Sequence, residues 1–204
     1  MQNYFFTIKS RFQAALKKIF PEKVWGRIEA VYHFTLAFLA ALLYRFPSRR
    51  IFVIGVTGTK GKTTVAELLS AILEEAGYKT AVSNTVRFKI GAESYDNTMK
   101  MTMPGRFFLQ RFLRRAVRER CGYAIIETTS EGARQFRDRF IELNALIFTN
   151  LAPEHIESHG SYEKYRDAKL SIAKRILKSR KKRRFLVVNR DDKVAPAFLN
   201  IGVP

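Results

Sequence analysis

Between Val53 and Thr64 the chain passes from a β-branched run, through two glycines, into an apolar-periodic segment. The residues read Val53-Ile-Gly-Val-Thr-Gly-Thr-Lys-Gly-Lys-Thr-Thr64. Ile51 to Val56 predicts a buried strand, and the spacing of Val65, Ala66, Leu68, Leu69 and Ile72 predicts a helix. A glycine loop between a strand and a helix N-terminus forms an anion cradle, because loop N–H groups and the helix dipole both favour phosphate. Gly58, Thr59, Lys60, Gly61, Lys62, Thr63 and Thr64 are the candidate nucleotide-binding residues, with Lys62 reaching the β- and γ-phosphates and Thr63 offering its hydroxyl to magnesium. The strict Walker pattern places a glycine where Val56 stands, so the match lies in the Gly-Lys-Thr half. An ordinary glycine-rich βα turn is the plainer alternative.

The 204 residues leave room for one domain with a sizeable core and a short appendage. We place the boundary near residue 50, with an N-terminal segment at 1–50 and the domain carrying the glycine loop at 51–204. In the second part, apolar strands at Ile51–Thr57, Thr80–Ser83, Tyr123–Glu127, Ala145–Thr149 and Phe185–Asn189 alternate with helices. The helices are expected at Lys62–Ala76, Phe107–Arg120 and Tyr162–Lys178. The expected fold class is α/β, a mostly parallel sheet covered by helices on both faces.

Residues 1–26 interleave cations with Phe5, Phe6, Phe12, Leu16 and Ile19, the pattern of a basic amphipathic helix stopped near Pro21. The run Ala30 to Tyr44 is denser in apolar residues, contains His33, and is closed by Arg45, Pro47, Arg49 and Arg50. It is shorter than the roughly 20 apolar residues of a spanning helix. Three readings stay open: a helix docked on the domain, an anchor on an anionic membrane surface, and a true span. The formal charge of +19, from 37 Lys+Arg against 18 Asp+Glu, suits a polyanionic partner without choosing among nucleotide, nucleic acid and membrane. The basic run Lys178–Arg184 lacks aromatic interleaving, so nucleic acid is not the expected partner. Cys121, alone in the chain, excludes an internal disulfide and is expected in the core.

Ligands of open α/β sheets gather beyond the carboxyl ends of the strands. Glu127 ends one apolar run there, and His155 follows another, so both are candidates to face the phosphates beside Lys62 as magnesium ligands. Lys169 falls inside the apolar stripe of Tyr165, Ala168, Ile172, Ala173 and Ile176. A buried ammonium is costly, so either its stem snorkels or the lysine serves a metal or phosphate site.

These segments together resemble the central, ATP-binding domain of the Mur ligases, on the branch of the tripeptide synthetases. The resemblance runs from about Ile51 to Leu199. It rests on Thr57–Thr64, Met101-Thr-Met-Pro-Gly105, Glu127-Thr-Thr-Ser130, Thr149–Gly160 with Tyr165-Arg-Asp-Ala-Lys169, and Asn189-Arg-Asp-Asp192. It implies an ATP- and magnesium-dependent, cytoplasmic ligase of peptidoglycan biosynthesis that adds an amino acid to a UDP-N-acetylmuramoyl-peptide through an acyl phosphate. Carried over by motif, Lys62, Lys169 and His155 are catalytic and Thr63, Glu127, His155 and Lys169 are metal ligands. Lys169 matches the lysine that the family converts to a carbamate. Thr102 and Ser130 sit where the family contacts the muramoyl substrate.

Two departures stand out. Family members carry a uridine-nucleotide domain before this one, where residues 1–50 are helical and basic, and an amino-acid-binding domain after it. Glu131 stands where tripeptide synthetases usually have histidine. Two alternatives therefore stay open: a ligase on another acid, of the poly-γ-glutamate or cyanophycin type, and a truncated non-catalytic module at a membrane.

Overall fold

The computed structural model describes residues 22–99, 101–152 and 161–203. The amphipathic segment expected before Pro21, and His155, lie outside the described residues. The chain opens with α1, Glu22–Leu43, and a 3-10 turn at Pro47–Arg50. Then follow β1 Phe52–Thr57, α2 Lys62–Glu75, β2 Thr80–Ser83, β3 Arg87–Ile90, β4 Glu93–Asp96, α3 Arg106–Arg118 and β5 Tyr123–Glu127. The remainder is α4 Ser130–Arg134, β6 Ala145–Phe148, α5 Tyr162–Leu177, β7 Phe185–Val188 and α6 Ala195–Leu199.

One sheet holds all seven strands in the order β4-β3-β2-β5-β1-β6-β7. β2, β5, β1, β6 and β7 run parallel, and the β3–β4 hairpin is added antiparallel at one edge. β1 lies centrally because its residues are buried on both faces: Val53 packs with α3 and α5, whereas Ile54 and Val56 pack with α2. Side chains alternate across a strand, so one β-branched run serves two helical layers. On the first face Leu109, Phe112 and Leu113 of α3 meet Ile172 and Ile176 of α5 over Ile126 and Leu146. On the second, Ala66 with Val65, Leu69 and Leu73 covers Ile125 and Val82.

The buried amide of Asn144 fixes the register where β6 starts. Its Oδ1 accepts from Val53 N at 3.0 Å, and the Asn144 backbone N–H donates to the Val53 carbonyl at 2.8 Å. All five strands and three long helices expected from the sequence are present. The hairpin was not expected, although Arg87-Phe-Lys-Ile90 and Glu93-Ser-Tyr-Asp96 alternate across a two-residue Gly91–Ala92 turn. Cys121 is buried, and burial pushes its thiol pKa up.

α1 continues well before Ala30, which merges the apolar run with the residues preceding it. It docks through small residues, Ala37, Ala40 and Ala41, against α3, which also packs on the 3-10 turn. Phe34 and Phe38 pack edge-on to Phe140, at ring-centroid distances of 5.2 and 5.6 Å.

Candidate functional site: the phosphate loop and its buried lysine

The loop leaves β1 at Gly58, whose φ of +149° and surroundings both require glycine. A Cβ there would stand 1.9 Å from Thr149 Oγ1. α2 then begins after Gly61, and no side chain caps its N-terminus. The first-turn N–H groups of a helix have no intrahelical acceptor, so this end is left to an anion.

Two loop amides are committed elsewhere. Thr59 N donates to the Asn150 carbonyl at 2.9 Å, and Lys60 N donates to Asn150 Oδ1 at 2.9 Å. Asn150 Nδ2 donates in turn to the Lys60 carbonyl at 3.1 Å. Asn150 therefore templates the loop, and the cradle is narrower than the sequence suggested. The Thr59 hydroxyl accepts from Ala152 N at 3.0 Å and shares a 3.1 Å hydrogen bond with the buried Tyr165 hydroxyl. Asp192 secures the same region by accepting from Leu151 N at 2.7 Å and Val194 N at 2.9 Å.

Lys62 turns its ammonium into the loop, donating to the carbonyls of Gly58 at 3.1 Å and Thr59 at 2.9 Å. Lys169, on α5, donates to the same Gly58 carbonyl at 2.7 Å. It is 2% exposed and lies 4.8 Å from the centre of the Tyr165 ring. So the lysine in the apolar stripe does not snorkel to the rim. Burial, with a smaller contribution from the Lys62 charge, pushes its pKa down to about 7.

Glu127 ends β5 directly beside β1, with Val56 as its register partner. Its carboxylate is fully buried; Oε2 accepts from the Thr85 hydroxyl at 3.0 Å, and Oε1 has no partner. Thr85 Oγ1 is also 3.0 Å from Thr102 Oγ1, so it joins two residues that the sequence had singled out separately. Thr57 Oγ1 and Ser83 Oγ, at the ends of β1 and β2, are likewise buried without partners. Ser130 opens α4 three residues past Glu127, where the Thr129 hydroxyl accepts from Gly132 N at 3.0 Å.

The structure thus brings Lys62 and Lys169 together at the loop, and Glu127 and Thr102 together through Thr85. A buried carboxylate oxygen without a donor, next to a phosphate loop, fits a hard divalent cation. Thr63, half-buried in the first turn of α2, adds a hydroxyl of suitable chemistry. No group of three His, Cys, Asp or Glu gathers among the described residues. Thr85 and Asn150 are the residues whose roles the sequence reading missed. Both follow the carboxyl ends of strands, where the rule that flagged Glu127 applies equally.

A mostly parallel α/β sheet with a glycine loop between its first strand and a helix, and a buried lysine held against that loop, places the chain in the class of open-sheet α/β domains. Residues 56–202 match the model of the Mur ligase middle domain, and the chain belongs to that family. It is 37% identical over 157 residues to a UDP-N-acetylmuramoyl-L-alanyl-D-glutamate--2,6-diaminopimelate ligase from Syntrophomonas wolfei, covering 77% of this chain and 31% of that one. A UDP-N-acetylmuramyl-tripeptide synthetase from a Roseiflexus species is 38% identical over 173 residues, covering 81% and 34%. A solved diaminopimelate ligase superposes with a TM-score of 0.62 at 25% identity, over 74% of this chain and 29% of that one. The chain spans about a third of the length of these curated relatives.

Proposed function

We propose that this domain is the ATP-binding core of a cytoplasmic, ATP- and magnesium-dependent ligase that joins an amino acid to a UDP-N-acetylmuramoyl-peptide in peptidoglycan synthesis. The observation that carries the reading is the meeting of Lys62 and Lys169 on the Gly58 carbonyl, at the end of the strand beside Glu127. The names of the relatives support the substrate class.

The roles follow from placement. The amides opening α2 and the Lys62 ammonium hold the β- and γ-phosphates of ATP, which supplies the phosphoryl group that activates the substrate carboxylate. Thr63 and the free Glu127 oxygen hold magnesium, with His155 and a modified Lys169 completing the metal ligands. Thr102 and Ser130, flanking Glu127, position the muramoyl acid so that its carboxylate meets the γ-phosphate in line. Little is asked of a protein nucleophile; positioning and charge neutralisation lower the barrier.

Lys169 suits carbamate formation. With a pKa of about 7, about half of its amine is unprotonated at neutral pH, whereas an ordinary lysine is almost wholly protonated. The ammonium first loses a proton; the neutral nitrogen then adds to carbon dioxide and releases a second, so that a cation repelled by Lys62 becomes an anion attracted to it. Carbon-13 bicarbonate should give a carbamate resonance in the wild type and none in Lys169→Ala. Calorimetry with a non-hydrolysable ATP analogue, then with a UDP-muramoyl-dipeptide, tests the substrate assignment. Thr102→Ala and Ser130→Ala should weaken the second titration and leave the first intact; no heat from the dipeptide with wild type would overturn it.

A further inference from the structure

We propose that α1 and the basic run Lys178–Arg184 form one docking surface for an anionic lipid bilayer, with α1 lying along the membrane interface. The helix is long enough: Val24–Leu43 is a 20-residue apolar stretch, about 30 Å of helix, and only 17% of it is buried against the domain. Its outward residues form a stripe at three- and four-residue spacing: Val24, Ile28, Val31, Leu39, Leu42 and Leu43 are all over two-fifths exposed. An uncovered apolar stripe of this length requires an occupant.

The structure brings the basic run to the end of this helix, which the sequence did not show. Arg49 Nε donates to Glu142 Oε1 at 3.1 Å, and Arg180 N donates to Oε2 of the same carboxylate at 2.7 Å. Arg49, Lys178 and Arg180 line one cleft of about 330 Å³ with Phe34 and Phe38 of α1. Glu142 answers only part of that charge: Arg45, Arg50, Lys182 and Arg183 form no ion pair among the described residues. Apolar side chains edged by unpaired cations match a layer of acyl chains beneath anionic headgroups.

Geometry decides between lying on the membrane and crossing it. Phe34 and Phe38 are packed on Phe140 and share a cleft with Asp138, Arg139 and Glu142, so a spanning α1 would drag charged domain surface into hydrocarbon. A second copy of the chain paired α1 to α1 in parallel would set two basic clusters of like sign near one another, and an antiparallel pair would leave both clusters unanswered.

Trp25, the sole tryptophan, lies on α1 and reports directly. Mixed with vesicles of phosphatidylcholine plus phosphatidylglycerol, the full chain should shift its emission to shorter wavelength and float with the vesicles. Pure phosphatidylcholine should bind at least about tenfold more weakly, and about 1 M salt, where the screening length is about 3 Å, should release the protein. Val31→Glu with Leu39→Glu should abolish the shift, and Lys182→Glu with Arg183→Glu should weaken it. Ile72→Glu, an exposed apolar position on α2, should leave it unchanged. Circular dichroism and retained ATP binding establish that the variants are folded. No flotation, flotation undiminished in the α1 variant, or a concentration-dependent dimer lost in that variant without vesicle binding would each overturn the proposal.

Discussion

Lys62 and Lys169, 107 positions apart in the chain, donate to a single oxygen, the Gly58 carbonyl, at 3.1 and 2.7 Å. Two ammonium groups on one acceptor repel each other, and only one of them, Lys169, is buried. Burial, and to a smaller extent the Lys62 charge, lowers the Lys169 pKa to about 7.

Stability should therefore depend on pH through this lysine. Between about 7 and its ordinary value, the folded chain carries one proton fewer than the unfolded chain. Stability accordingly rises with pH across that window, and the cost of the buried charge is fully felt below it. Thermal melts without bicarbonate, from about pH 6 to about pH 10, should show Lys169→Met most advantaged over wild type at the acid end. The advantage should shrink by an amount on the order of a few kcal/mol as pH rises. A difference that does not change with pH would contradict the buried charge.

Glycine is required for different reasons at the two loop positions. Gly58→Ala would drive a Cβ into Thr149 Oγ1 and should both lower the melting temperature and abolish nucleotide binding. Gly61, at φ +77°, has nothing within 4 Å of its Cβ position, so Gly61→Ala should cost only about 1–2 kcal/mol of left-handed strain. Calorimetric unfolding of the pair checks the contrast.

The Thr85–Glu127 contact yields a third expectation. Thr85→Val keeps the shape but leaves a second oxygen of a fully buried carboxylate without a donor, at a cost of about 1–3 kcal/mol. In the Glu127→Gln background the same change should cost measurably less, because the two residues are coupled. Additive losses in the double variant would separate them.

Much of this architecture is legible in the chain because its strands are buried on both faces and read as continuous apolar runs. Ile51–Val56 and Ala124–Ile126 leave little choice of secondary structure. Lys169 was visible as a charge in an apolar stripe, and Gly58–Thr64 as a strand-loop-helix change. The β3–β4 hairpin was less visible because β4 is exposed along its length and only Phe88 and Ile90 mark a face. Asn150 and Thr85 are legible as residues after strand ends, but their partners, backbone amides and one hydroxyl, are not named by residue type or spacing. The meeting of Arg49 with Lys178–Arg184 depends on Glu142, a contact between segments that sequence order keeps far apart.

ATP binding by the Gly58–Thr64 loop is proposed to run through the Lys62 ammonium. Its most direct measurement is a calorimetric titration of magnesium-ATP into wild type and Lys62→Ala, with circular dichroism showing both folded. Loss of one charge-assisted contact should weaken binding by roughly 1.5–3 kcal/mol, about tenfold to a hundredfold. Equal affinity in the two proteins would contradict the account.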